Sequence, residues 1–361
     1  MGQSINRRRV FGSGGGGIDY SKQYLTFVSL ADNNEIKFFT NDDNNTRTIY
    51  VSTNKNTWAS KTSSSAGTTL ATLNNGGKLY VKVVVNLTGY SNGTFYQYFG
   101  ATGNFALEGN IMSLLYGYGG NFYEQTTLPS STYTFYRMFY NCAGLADISN
   151  LVMPATTLRQ GCYERMFGGT SITSLPNNLL PATTLSPSCY YYMFYGCPIT
   201  AIPSGLLPAT TLAENCYYSM FSNTYITTLP SGLLPATTLA SSCYRQMFYG
   251  CASLATVASD LMGATTLASA CCRGMFSGCS SLKNSPDLLA PTLVTDCYRV
   301  MFNACTSINY IKCTATSISA SNATNAWLGG ASSTGTFVRK SGVSWSRNTS
   351  GIPSGWTIQN A

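Results

Sequence analysis

The pair Met-Phe occurs seven times at a nearly constant step, at Met138-Phe139, Met166-Phe167, Met193-Phe194, Met220-Phe221, Met247-Phe248, Met275-Phe276 and Met301-Phe302. The steps are 28, 27, 27, 27, 28 and 26 residues. A fixed period in this range predicts a solenoid, because one such unit cannot bury its apolar face without a neighbour stacked on it. Chains of this kind present surfaces more often than they perform chemistry.

Within the clearest copy, Leu239, Cys243 and Met247 fall at i, i+4 and i+8. That spacing predicts one face of a short helix, with Thr238 as its N-cap and Gly250 as its stop. Leu254 and Val257 then begin an extended segment. One coil thus reads as a short helix and one or two short strands, with coils about 4.8 Å apart.

The cysteines follow the same period. Cys162, Cys189, Cys216, Cys243, Cys271 and Cys297 stand four residues before the Met, and Cys142, Cys197, Cys251, Cys279 and Cys305 three after the Phe. A disulfide framework is disfavoured. Eight helical residues span about 12 Å, whereas a disulfide needs Cα atoms within about 7 Å. Thr170 and Thr224 also replace the second cysteine, so the position asks for a small buried side chain. Free buried thiols are expected. With no His and no C-x-x-C, no zinc site and no cofactor is expected.

The Met-Phe pairs read as core. Tyr163, Tyr190, Tyr217, Tyr244 and Tyr298 each follow the first cysteine. Two readings stay open for them: half-buried core, or an aromatic ladder offered to a protein or a sugar.

Before the repeats the texture differs. Residues 21–85 hold β-rich runs such as 24–30, 35–39, 46–51 and 78–85, separated by Asn/Asp/Gly turns, and predict a β-sandwich. Thr94–Phe99 echoes Thr134–Phe139 and reads as a degenerate first coil. The expected organisation is an arm over 1–20, a β-sandwich over 21–85, a solenoid over 86–315 and a cap over 316–361. The expected fold class is mainly β with short helices. The arm carries Arg7, Arg8 and Arg9 and a tether that includes Gly14, Gly15 and Gly16.

Charge narrows the function. Residues 86–313 carry eight basic and eight acidic side chains, so no basic stripe tracks a nucleic-acid backbone and no nucleic-acid partner is expected. Only 9% of residues are charged, which suits a neutral polar surface in an assembly or facing glycans. No apolar run is long enough to span a bilayer, and no export stretch is visible as the chain is written. No acid recurs at a repeat position, and the adjacent pair Asp42-Asp43 sits in a turn, so an enzyme is not expected.

Pro-Ala-Thr-Thr-Leu at 154–158, 181–185, 208–212 and 235–239, with Cys-Tyr-x-x-Met-Phe and Gly-Cys-x-x-Leu, resembles the BspA-like class of leucine-rich repeats over about 128–313. Gly263 in place of Pro, and the shortened Ala290-Pro291-Thr292-Leu293, depart from the pattern. N-terminal β modules and Gly-Ile-Pro-x-Gly-Trp endings, as at 351–356, accompany such repeats in gut Bacteroidetes proteins and their phages. The resemblance implies a displayed, adhesive or structural protein and transfers no catalytic residue. Without an export signal the expectation is a phage virion protein: a fibre, appendage or capsid decoration on the particle exterior. Its arm would bind other virion proteins, its solenoid a host-surface glycan or protein. Such fibres are commonly homotrimers. A bacterial cell-surface adhesin of the same repeat class is the alternative.

Overall fold

The computed structural model describes residues 18–117 and 121–361. The chain is mainly β. Helix among the described residues is confined to three short 3-10 segments, Tyr20–Lys22, Ile111–Leu114 and Phe122–Glu124.

Nine strands build the N-terminal part: β1 Leu25–Ser29, β2 Asn34–Thr40, β3 Thr48–Ser52, β4 Ala59–Thr62, β5 Thr68–Leu73, β6 Lys78–Lys82, β7 Gln97–Ala101, β8 Phe105–Asn110 and β9 Leu145–Val152. One sheet has the order β4-β3-β6-β1-β8-β9 and another β5-β2-β7. On β2, Asn34, Ile36, Phe38 and Thr40 are buried in strict alternation, the two-residue period of a strand with one covered face. Phe99 of β7 meets Phe27 of β1 at 5.0 Å and Phe38 of β2 at 4.8 Å, so an aromatic cluster joins the two sheets.

The expected boundary at residue 85 moves. Strands β7 and β8 pair antiparallel with β2 and β1, which carries the N-terminal sheets to about residue 110. Strand β9, which follows the first Met-Phe pair, then adds to β8 in parallel. The likeness of 94–99 to 134–139 has a structural counterpart: Phe99 donates its N–H to Met138 O, and its ring stacks 5.5 Å from Phe139.

The repeats contain no α-helix. Where one was expected, the chain makes consecutive β-turns. In the copy at 239–251, the N–H groups of Cys243, Arg245, Met247, Tyr249 and Cys251 donate to carbonyls three residues back. The N–H groups between them, on Ser242, Tyr244, Gln246, Phe248 and Gly250, donate to Ser269, Cys271, Arg273, Met275 and Ser277 in the following repeat. Alternate residues thus bond locally and to the next repeat, and every amide from Ser242 to Cys251 is satisfied.

The geometry depends on a left-handed residue at every fourth position. Ser242, Gln246 and Gly250 have φ of 52°, 53° and 71°. Each is the third residue of a turn closed by one of those local bonds, the place where a type II turn requires positive φ. A four-residue period follows. Cys243-Tyr244 and Met247-Phe248 point inward, while Arg245-Gln246 and Tyr249-Gly250 lie outside. The i, i+4, i+8 pattern is therefore real, but its period is 4.0 rather than the helical 3.6.

Stacking makes the core continuous. Phe139, Phe167, Phe194, Phe221, Phe248, Phe276 and Phe302 form one column with neighbouring ring centroids 5.6–5.9 Å apart. All seven Met-Phe pairs are fully buried. Short parallel strands β10 Thr228–Leu229 and β11 Thr256–Val257 mark the opposite flank.

The repeat does not dissolve at Thr316 as expected. Asn322, Ala326 and Gly330 carry the next three left-handed residues, and Trp327 takes the place of the Phe, accepting from the N–H of Phe302. A parallel sheet of β12 Asn284–Leu288, β13 Tyr310–Cys313, β14 Gly335–Arg339 and β15 Trp356–Asn360 runs through this region. Closure comes later, where Trp345 stacks 5.5 Å from Trp327, and Trp327 Nε1 and Trp356 Nε1 donate to Gly351 O and Ser332 O.

Candidate functional site: a tyrosine and arginine stripe

The tyrosines following the first cysteine are not offered to a ligand. Tyr163, Tyr190, Tyr217, Tyr244 and Tyr298 are each 1–2% exposed. They are the inner residues of the first inward turn, and their rings stack at 5.7–6.0 Å from Tyr163 through Tyr244. Phe135 precedes this column at 5.8 Å, Cys272 interrupts it, and Tyr298 resumes it against Trp327 at 6.3 Å. Burial pushes every one of these phenols well above its usual range. The ladder reading is corrected: this is core. The arm residues Arg7, Arg8, Arg9, Gly14, Gly15 and Gly16 lie outside the described residues.

The thirteen cysteines are all free and buried, in agreement with the expectation. Among the described residues no cluster of His, Cys, Asp and Glu is suited to hold a metal. None of the helices there is long and apolar enough to cross a membrane.

One position further along the turn, side chains face outward. Successive repeats place here Tyr136-Arg137, Glu164-Arg165, Tyr191-Tyr192, Tyr218-Ser219, Arg245-Gln246, Arg273-Gly274 and Arg299-Val300. Their backbones are joined directly: Arg165 N donates to Tyr191 O, Tyr192 N to Tyr218 O, Ser219 N to Arg245 O, Gln246 N to Arg273 O and Gly274 N to Arg299 O, all at 2.8–3.0 Å. A single ladder thus lines up tyrosines and arginines along the outside. The tyrosines and arginines of the stripe are half-buried.

The aromatic part is dense. Tyr191 lies 4.6 Å from Tyr192 and 4.8 Å from Tyr218, and Tyr192 lies 5.7 Å from Tyr218. Guanidinium groups cover ring faces: Arg137 over Tyr136 at 5.1 Å, Arg165 over Tyr192 at 5.2 Å and Arg245 over Tyr218 at 5.0 Å. Cation–π contacts of this kind hold long side chains in place. Nε of Arg137, Arg165 and Arg245 is nevertheless buried without a hydrogen-bond partner.

Two acids touch the stripe. Asp296 Oδ1 is 3.5 Å from Arg299, and Glu164 Oε1 is 3.9 Å from Arg165 Nε. Burial pushes the Glu164 carboxyl up to about 7, against the pull of Arg165 and Arg137. Burial first, and then the charges of Arg245 and Arg299, disfavour Arg273 as a cation.

The signal for this stripe was in the sequence. The second residue after the first cysteine is Glu, Tyr, Tyr, Arg, Arg and Arg in the repeats from Cys162 to Cys297, at Glu164, Tyr191, Tyr218, Arg245, Arg273 and Arg299. The tyrosine before it, the other of the two neighbours in sequence, is the one that the turn buries. No family model, no curated protein and no solved structure matches this chain.

Proposed function

We propose that this chain is a phage virion structural protein, a fibre, appendage or decoration on the particle exterior. Its N-terminal region anchors it to other virion proteins, and its repeats are a BspA-like solenoid that adheres to a host-surface glycan or protein. The N-terminal strands are the sandwich that joins the two.

The observation that carries this reading is the outside of the repeat. The turn column of each repeat bonds locally and to its neighbour, buries its Met-Phe pair, and leaves one half-exposed row in which tyrosine and arginine predominate. A surface that recurs along an axis is suited to holding an extended partner. The reading is non-catalytic. Asp42 accepts from Asn44 and Asn45, and Asp43 from Ser65, so these neighbouring carboxylates pin turns.

The test is location. Mass spectrometry of purified particles should find the chain, and a form lacking residues 1–20 should be missing from particles while still folding. Full occupancy of the truncated form would remove the anchoring role. Recovery from bacterial outer-membrane fractions alone would favour a cell-surface adhesin.

A further inference from the structure

The stripe has an internal order. Its aromatic part, Tyr191, Tyr192 and Tyr218, occupies two adjacent repeats. Arg137 and Arg165 precede it, and Arg245, Arg273 and Arg299 follow it, so an aromatic patch is flanked by cations on both sides along one ladder. Five guanidinium groups face two carboxylates, Glu164 and Asp296, which leaves an excess of three positive charges (5 − 2) when both acids are ionised. Buried Nε donors on Arg137, Arg165 and Arg245 lack an acceptor. A buried donor without a partner is costly, so these arginines are held in place by packing against the tyrosine rings with their outer nitrogens left for a ligand.

We propose that this stripe binds a linear acidic polysaccharide, its sugar rings laid on the tyrosine patch and its carboxylates held by the flanking arginines. The proposal rests on the adhesive reading above and names the chemistry of the partner. The C–H faces of a sugar ring pack against aromatic rings, and tyrosine adds a hydroxyl at the wet edge. A guanidinium presents two parallel donors that match a carboxylate. Equivalent positions recur at a short step, their stacked core rings 5.6–6.0 Å apart, so the site favours a chain over a single sugar.

Single-stranded nucleic acid combines rings and charge in a related way. It fits less well. A surface that follows a phosphate backbone carries a basic excess along the body, whereas residues 86–313, which hold the stripe, carry eight basic and eight acidic side chains.

The experiment uses the full chain against polygalacturonate and hyaluronate, with dextran as the neutral control and oligodeoxythymidine as the nucleic-acid control. Biolayer interferometry should show binding to the acidic polymers. Binding should weaken about tenfold or more in Arg245→Gln/Arg273→Gln and in Tyr191→Ala/Tyr218→Ala, because charge-assisted bonds and aromatic anchors dominate such contacts. The distant Lys340→Gln should leave it unchanged. In the unmutated protein, the acidic polymers should protect Arg245 and Arg273 from phenylglyoxal, an answer that needs no variant. No binding to either polymer, binding untouched by both double variants, or oligodeoxythymidine bound equally tightly through the same residues overturns the proposal. Binding of dextran without the acidic polymers overturns it too, but leaves the adhesive reading standing. Absence of the protein from particles removes the virion reading and leaves this one intact.

Discussion

Thr170 Oγ1 stands 3.3 Å from Cys197 Sγ, and both lie within hydrogen-bonding reach of the same acceptor, Phe167 O, at 2.9 and 3.0 Å. Thr224 and Cys251 repeat the arrangement at Phe221 O. Cys279 and Cys305 donate to Phe248 O and Phe276 O. Thr and Cys therefore interchange because this column asks for a small side chain able to donate to a Phe carbonyl, the threonines to that of their own repeat and the cysteines to that of the preceding one. Cys279→Thr should leave the melting temperature nearly unchanged. Cys279→Val keeps the shape, loses the donor, and should cost about 1 kcal/mol. Cys279→Leu overpacks the column and should cost about 1–3 kcal/mol. Equal losses for Thr and Leu in thermal melts would contradict the assignment.

The thiols also set a pH limit. Burial pushes Cys162, Cys216, Cys305 and Cys313 up to about 12 and Cys142 to about 11, from an ordinary 9.0. The folded chain holds protons that the unfolded chain releases, so this stability is complete below about pH 9 and drains away as pH rises toward 12. The buried phenols add to the loss above about pH 10. Cooperative alkaline unfolding is expected in that window. At pH 8 native protein should resist iodoacetamide, and denaturation without reductant should expose all thirteen thiols. A mass showing intact disulfides would refute this.

Glu164 behaves in the opposite sense to an ordinary surface acid. Its folded value of about 7 lies above the unfolded 4.5, so its contribution is full below pH 4.5 and is lost as pH rises through 7. Glu164→Gln removes the buried charge. It should stabilise the protein by about 1 kcal/mol at pH 8, after allowance for screening by solvent, and make no difference at pH 4. A pH-independent difference would place the effect in packing instead.

Tyr163 carries a buried hydroxyl with no hydrogen-bond partner, inside the stacked ring column. Tyr163→Phe should therefore be neutral or stabilising by up to about 1 kcal/mol, whereas Tyr163→Ala opens a cavity costing about 3–5 kcal/mol. A loss of stability in the Phe variant would mean that the hydroxyl is satisfied after all.

Val300 is a β-branched residue at φ 48°, in the row where other repeats place Arg165, Tyr192, Ser219, Gln246 and Gly274. The left-handed conformation costs such a residue about 1–2 kcal/mol. Val300→Asn should raise the melting temperature, because Asn tolerates that conformation. The reverse change, Gly274→Val, should lower it. An unchanged melt for both would mean that the turn relaxes around either residue.

The period, the inward Met-Phe and Cys columns and the β texture before residue 85 were legible because burial acts on residue type directly. The turn column was not. Leu239, Cys243 and Met247 satisfy a helix and a four-residue turn ribbon equally, since both return to one face after four residues. What separates them is the outer row, Ser242, Gln246 and Gly250, where left-handed backbone is required but any residue is accepted at a cost. The strands at 97–101 and 105–110 fall in the span that reads as repeats because their partners, β2 and β1, are some sixty to eighty residues earlier. Pairing over that distance leaves no local trace. Spacing leaves Tyr163 and its equivalents open between core and ladder for the same reason as the helix: on a four-residue turn two neighbouring residues share the inside, so the tyrosine goes in with the cysteine and its successor goes out.

The bonds between repeats in the turn column all point one way. From Tyr133 to Ala304, five N–H groups per repeat donate to carbonyls of the following repeat, and none of these bonds is reversed. In the strands on the other flanks donors point both ways, as Leu239 N to Thr266 O and Thr265 N to Thr237 O illustrate, so their dipoles largely cancel. The turn column instead adds its peptide dipoles head to tail, as an α-helix does along its axis. It is a macrodipole written across the chain rather than along it. Its positive pole is at the C-terminal end, on the side of Arg273 and Arg299, so backbone and side chains draw an anion toward the same end.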